Sequence, residues 1–199
     1  MAKHIIFVIG PTNAGKGCFL AAAQRMKPDR VGLVEVGKMF RAKYLDPKSP
    51  HYDPDHFKGQ AAPKHTAIEA WQMMLDGISA CQEAGKDIIL IDGQPRDIEQ
   101  CERIHHKYEL SHDWNVTFAH IYAPENLRLE RAMARDAGDP AKLALSKARL
   151  QGDAVGLYEV MTRLIHYHSD VVTLINDGQV AISDLVHDLF NTMKEINLC

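Results

Sequence analysis

Residues 4–17 read HIIFVIGPTNAGKG. All but the first of the opening six are apolar, and they run straight into glycine and proline. A short apolar run that stops at turn residues reads as a buried strand. The spacing from Gly10 to Gly15-Lys16 is G-x-x-x-x-G-K, the pattern of a phosphate-binding loop. Glycines allow the backbone to turn tightly, so that successive N–H groups point inward at phosphate oxygens. The helix-forming stretch Phe19–Met26 follows and adds the positive end of its dipole, and Lys16 adds a mobile full charge. The residue after the lysine is Gly17, where Ser or Thr is usual because its hydroxyl binds Mg²⁺.

Beyond this loop, short apolar runs alternate with longer amphipathic stretches. The runs are His4–Ile9, Leu33–Val36, Ile88–Ile91, Val116–Ile121 and Val171–Ile175. Helical patterns cover Phe19–Met26, Lys64–Ala84, Ile98–Lys107, Glu125–Arg135, Lys142–Leu164 and Ile182–Ile196. Strands that alternate with helices imply crossover units and a parallel sheet, and runs that are apolar almost throughout imply helices on both faces. Ligands of such sheets sit at the carboxyl ends of the strands, where the phosphate loop and Asp92 both fall. Residues 46–63, rich in Pro and polar groups, read as a long loop or flap. Residues 136–141 separate two helices and read as a short lid tip.

The chain has 199 residues, enough for one domain with a full core. Its net charge of −3 supplies no global basic field, so no nucleic-acid partner is expected. No apolar stretch approaches the ~20 residues of a membrane span, so no membrane partner is expected either. The four cysteines have no paired spacing, and with no signal-peptide core at the N-terminus they place the chain in a reducing cytoplasm. The eleven histidines find no Cys, Asp or Glu spacing that completes a metal set, and they read as surface or helix-end residues. Trp71, Met73, Met74 and Leu75 read as core.

A second signal is IILIDGQPR, residues 88–96, with Gln100 following. Asp92 ends a buried strand, where a carboxylate can hold Mg²⁺ through water beside a phosphate loop. Arg96 lies just beyond, placed to fork onto a phosphate. Arg131 and Arg135 are four apart and share one helix face. Spacing alone favours a solvated charged face paired with Glu130 or Asp136 over a phosphate site.

These pieces occur in a characteristic order: GPTNAGKGC at 10–18, EVGKMFR at 35–41, DGQPRDIEQ at 92–100, Pro124 with Arg131 and Arg135, ARL at 148–150 and NDGQ at 176–179. The series resembles the adenylate kinase and nucleoside monophosphate kinase family of P-loop kinases. That family carries Gly-x-Pro-Gly-x-Gly-Lys-Gly-Thr, then Ser-Thr-Gly-Asp-Met-Leu-Arg, then Asp-Gly-Phe-Pro-Arg-x-x-x-Gln. The resemblance spans nearly the whole chain. It implies a single α/β P-loop kinase domain over 1–199, of three layers around a five-stranded parallel sheet. A monophosphate-binding flap at about 38–68 and a short lid at about 136–148 would be its moving parts.

Residue by residue, the resemblance implies an ATP site at Gly10, Asn13, Ala14, Gly15, Lys16, Gly17, Cys18, Arg131 and Gln179. The monophosphate site would be Val36, Gly37, Arg41, Gln60, Gly93, Arg96 and Gln100, with Gln100 on the acceptor base. Lys16, Arg96, Arg131, Arg135 and Arg149 would carry catalysis by holding the transferring group, and Asp92 would position Mg²⁺ through water. Asp139 is the expected lid carboxylate. The implied reaction moves the γ-phosphoryl group of Mg·ATP to a nucleoside or deoxynucleoside monophosphate, AMP first; a monomer is expected because the flaps need free movement. Such a transfer needs alignment and fixed positive charge, and exclusion of water by a closing lid, but no covalent chemistry from the protein.

The chain also departs from the family. Cys18 stands for the threonine after Gly-Lys-Gly, Val36 and Lys38 stand for Thr and Asp, and Gln94 stands for the phenylalanine of Asp-Gly-Phe-Pro-Arg. A thiol is a poor partner for phosphate and a poor ligand for a hard metal. Two alternatives stay open: a P-loop kinase of another small acceptor, and a catalytically weakened nucleotide-binding module.

Overall fold

The structure, a computed structural model, describes residues 3–53, 55, 64–110 and 113–196. Five strands, β1 (His4–Ile9), β2 (Val31–Glu35), β3 (Ile88–Asp92), β4 (Asn115–Tyr122) and β5 (Val171–Ile175), form one sheet in the order β2-β3-β1-β4-β5. Every pairing is parallel. Seven α-helices connect them: α1 (Lys16–Met26), α2 (Val36–Tyr44), α3 (Lys64–Glu83), α4 (Ile98–Ile104), α5 (Glu125–Asp136), α6 (Pro140–His166) and α7 (Ile182–Ile196). A π-helical turn, His105–Glu109, extends α4. The expected α/β P-loop fold with a five-stranded parallel sheet is therefore observed.

The alternation of side chains along a strand divides β1 between two cores. Ile6 and Val8 pack with α1 and α7, against Phe19, Leu20, Val186 and Leu189. Ile5, Phe7 and Ile9 pack on the other face with α3, α4 and α6, against Met74, Ile104, Val160 and Leu164. Phe7 stacks on Phe118 of β4 with centroids 5.2 Å apart. Both faces of the sheet are covered, which is why the strands read as apolar runs. Met74 is fully buried, and Trp71, Met73 and Leu75 pack partly buried against the second core.

Several boundaries differ from the sequence reading, and one difference matters. β2 ends at Glu35, and Val36 opens helix α2 rather than closing a strand. The start of the expected flap is thus helical: Val36 and Phe40 sit in the core, and Tyr44 donates to both oxygens of Glu69 on α3 at 2.8 and 2.7 Å. The expected lid tip is a turn of three residues, 137–139, and residues 140–148 already belong to α6. Asp139 caps that helix, accepting the backbone N–H of Lys142 at 3.1 Å and pairing with its ammonium at 3.1 Å. Among the described residues no helix is long and apolar enough to cross a membrane.

Candidate active site

The loop 10–17 leaves β1 and enters α1, whose first residue is Lys16. Two glycines are demanded by close approach. Gly10 has φ 140, and a Cβ there would lie 2.4 Å from the Ile121 carbonyl oxygen. Gly15 has φ 100, and a Cβ there would lie 2.4 Å from Asn176 Nδ2. Lys16 folds across its own loop and donates to the carbonyls of Gly10 at 2.7 Å and Pro11 at 2.9 Å. Ala14 is fully buried, whereas Gly17 and Cys18 are exposed on the first turn of α1. His120 on β4 pairs in register with Ile9, and burial, then the charge of Lys16, holds it below the ordinary imidazole value.

Two arginines of α5 reach this loop, one turn apart. Arg131 donates to the Asn13 carbonyl at 3.2 Å and to Asn176 Oδ1 at 3.0 Å. Asn176, almost fully buried just after β5, donates its Nδ2 to the Ala14 carbonyl at 2.7 Å. Arg135 donates to Asn13 Oδ1 at 2.9 Å. It is held from behind by Asp136, through Nε at 2.9 Å and Nη2 at 2.8 Å. Ser146 of α6 accepts from Arg135 at 2.8 Å and donates to Asp136 at 2.6 Å. The Arg135 guanidinium, then the Ser146 hydroxyl, pulls the Asp136 carboxyl down to about 2. Sequence spacing left a solvated ion pair and a phosphate site as alternatives for these arginines. Arg135 does pair with Asp136, and from that seat it reaches the loop.

On the other side of β1, Asp92 ends β3 in register with Val8 of β1 and Glu35 of β2. Arg96 donates through Nε to the Gly93 carbonyl at 2.9 Å. A Cβ built on Gly93 would lie 3.4 Å from Arg96 Nη2 and 3.8 Å from the Gly37 nitrogen; one built on Gly37 would lie 3.5 Å from Arg41 Nη1. Arg41 and Arg96 are thereby gathered at the first turn of α2. Lys38 is paired with Glu35 at 2.6 Å. Val36 is a core residue, only 3% exposed. Gln100 has both ends of its amide engaged locally, accepting from the Arg96 N–H and donating to Asp97, each at 2.9 Å. It braces the Arg96 loop. Gln94 is 2% exposed, and neither its Nε2 nor its Oε1 has a hydrogen-bond partner.

Gln60 and the side chain of Arg149 lie outside the described residues. Gln179 is exposed beside a turn in which Asp177 accepts its N–H at 2.9 Å. The histidine pair starting at His105 is occupied structurally: His105 is 3.0 Å from Glu109 and stacks on Tyr167 at 4.0 Å. Among the described residues no group of three or more His, Cys, Asp or Glu could form a metal cage. A Mg²⁺ ion needs no such cage, because it keeps several waters and takes one or two carboxylates plus substrate phosphates. Asp92 fits that requirement. Cys18 does not supply the missing hydroxyl. From sequence, Ser146 was not singled out, Asp136 was named only as an ion-pair partner of the arginines, and Asn176 only as part of the NDGQ motif. The Asn176-Asp177-Gly178 turn was the only signal toward that asparagine; nothing in the spacing joins Ser146 to Asp136.

No protein-family model matches the chain. Adenylate kinases are among its relatives. That of Helicobacter hepaticus is 24% identical over 195 residues, 96% of this chain and 98% of its own. That of Helicobacter pylori strain HPAG1 is 21% identical over 94% and 95%. Two solved structures share the fold. One, from Chloroflexus aurantiacus, carries a provisional kinase name and aligns with a TM-score of 0.58 at 12% identity, covering 96% of this chain and 98% of that one. A sugar kinase from a Janibacter species aligns with a TM-score of 0.58 at 14% identity, covering 98% and 95%.

Proposed function

We propose that the protein is a nucleoside monophosphate kinase of the adenylate kinase type, transferring the γ-phosphoryl group of Mg·ATP to a nucleoside or deoxynucleoside monophosphate, with AMP the first candidate. This reading is supported by two clusters of cationic side chains, at the loops that follow the neighbouring parallel strands β1 and β3. One is the phosphate loop with Lys16, Arg131 and Arg135. The other gathers Arg41 and Arg96 at the first turn of α2. Two guanidinium groups at the acceptor end suit a substrate that is already phosphorylated, which disfavours a neutral sugar or acid.

In this mechanism the backbone N–H groups of the loop and Lys16 hold the donor's β- and γ-phosphates. Arg41 and Arg96 fix the acceptor phosphate so that its oxygen lies in line with the γ-phosphorus. Arg131, Arg135 and, by resemblance, Arg149 stabilise charge on the equatorial oxygens in flight. Asp92 would hold Mg²⁺ through water, and the ion would supply positive charge toward the donor phosphates. No general base is required, because the acceptor oxygen is already ionised at neutral pH. Gln94 lends its amide to the acceptor side, which would explain why a buried polar group there is left unbonded.

The test is a coupled ADP-release assay with Mg·ATP against AMP, dAMP, CMP, UMP, GMP and dTMP, run beside Lys16→Ala. One strong acceptor, lost in the variant, is expected. Tight ATP binding with none of the six accepted would overturn the reading.

A further inference from the structure

The phosphate loop carries a side chain at its tightest point. Asn13 has φ 63, a left-handed conformation that glycine adopts freely and asparagine tolerates. Its side chain is therefore an addition that the turn itself does not need. One prong of the amide receives Arg135 at 2.9 Å. A guanidinium has donors only, so the atom facing Arg135 is the amide oxygen, and this fixes the nitrogen on the opposite prong. That Nδ2 is buried with no hydrogen-bond partner. A buried donor left unmade is destabilising, and here it sits inside a loop whose neighbouring groups are arranged for anions.

The geometry on the Arg135 side points the same way. Of the five N–H groups of a guanidinium, Nε binds Asp136, Nη2 serves Asp136 and Ser146, and one N–H of Nη1 serves Asn13. The remaining N–H is on Nη1, the nitrogen next to Asn13. The unspent donors of both residues thus sit together at the phosphate loop. Arg131, bonded to the Asn13 carbonyl, holds the backbone of the same residue.

We propose that Asn13 couples the arginine helix to the bound nucleotide: its Oδ1 seats Arg135 over the loop while its Nδ2 donates to a phosphate oxygen of the donor. Each contact then favours the other, and Asn13 acts on Arg135 as a positioning residue. The proposal rests on the kinase reading only in so far as the loop binds ATP, and its test needs no acceptor.

The experiment is calorimetric titration of Mg·ATP into the full chain and into Asn13→Gly, Asn13→Asp, Arg135→Ala and the Asn13→Gly/Arg135→Ala double variant, with thermal unfolding of each. Asn13→Gly keeps the loop conformation and removes both bonds. Affinity should fall about tenfold in it and in Arg135→Ala, and the double variant should be little weaker than either single one. Asn13→Asp keeps an acceptor for Arg135 but turns a carboxylate toward the phosphates, so it should bind ATP more weakly than Asn13→Gly. Additive losses in the double variant would overturn the coupling, as would wild-type affinity in Asn13→Asp. Failure of the wild-type chain to bind ATP would overturn the nucleotide reading and this proposal together, whereas ATP binding with additive losses leaves the kinase reading standing.

Discussion

Gln94 is a buried amide with both ends unbonded, next to Gly93 and two residues before Arg96. If its partner arrives with the acceptor, Gln94→Leu should raise stability by about 1 kcal/mol, since an unmade buried bond disappears. The melting temperature should then rise by about 2–4 °C while the acceptor KM rises and the ATP KM holds. Scanning calorimetry with initial-rate kinetics decides it: a more stable variant with an unchanged acceptor KM removes Gln94 from the substrate site. Lys16 makes a simpler case. Its ammonium already lies on the Gly10 and Pro11 carbonyls at the loop mouth, and Lys16→Met should cost about 10²–10³ in kcat/KM with the fold intact. The phosphate loop and Asp92 were legible in the sequence because glycine spacing and a strand-ending carboxylate are local patterns. The engagement of Gln100 with Arg96 and Asp97 was not, because no spacing rule says whether an amide faces its own loop or a ligand.

At the level of elements, α5 and α6 are joined by a three-residue turn and by the Arg135–Asp136–Ser146 cluster. The folded carboxyl of Asp136 lies at about 2, below its ordinary 3.8, so this contribution to stability is complete above about pH 4 and is lost as pH falls toward 2. Asp136→Asn should flatten that acid limb of the stability–pH curve and loosen Arg135; urea unfolding between pH 2 and 5 checks it, and an unchanged slope would contradict it. Helices with clear periodicity, such as α3 and α7, were readable to within a residue or so. Helix α2 was not. It is nine residues long, opens on a valine continuous with the strand before it, and has no side-chain cap at Glu35. Tertiary contacts hold it instead: Val36 and Phe40 in the core, and Tyr44 on Glu69. The start of α6 was read two residues late, at Lys142, for a related reason. Gly138 and Pro140 marked a break, but a proline is tolerated in the first turn of a helix, and α6 starts there.

For the whole molecule, the sequence disclosed five apolar runs and their alternation with helices, and hence the fold class. The spatial order β2-β3-β1-β4-β5 is set by crossovers that no single run encodes. That order brings the loop after β1 beside the loop after β3, where the proposed donor and acceptor sites lie. If both cradles bind, ligands should stabilise the protein as a whole. Mg·ATP at 100 times its dissociation constant should add about 2.7 kcal/mol, or roughly 5–10 °C in melting temperature, and the true acceptor should add a further increment. Scanning fluorimetry with each ligand alone and both together tests this, and a shift with ATP that no monophosphate increases would speak against an acceptor cradle. Following a labelled phosphoryl group tests the direction of transfer. With ATP carrying ³²P at the γ-position and one monophosphate at a time, the label should appear in the diphosphate of a single nucleoside and vanish from it in Lys16→Met. Label recovered only as inorganic phosphate would contradict the account, as would label on an acceptor that is not a nucleotide.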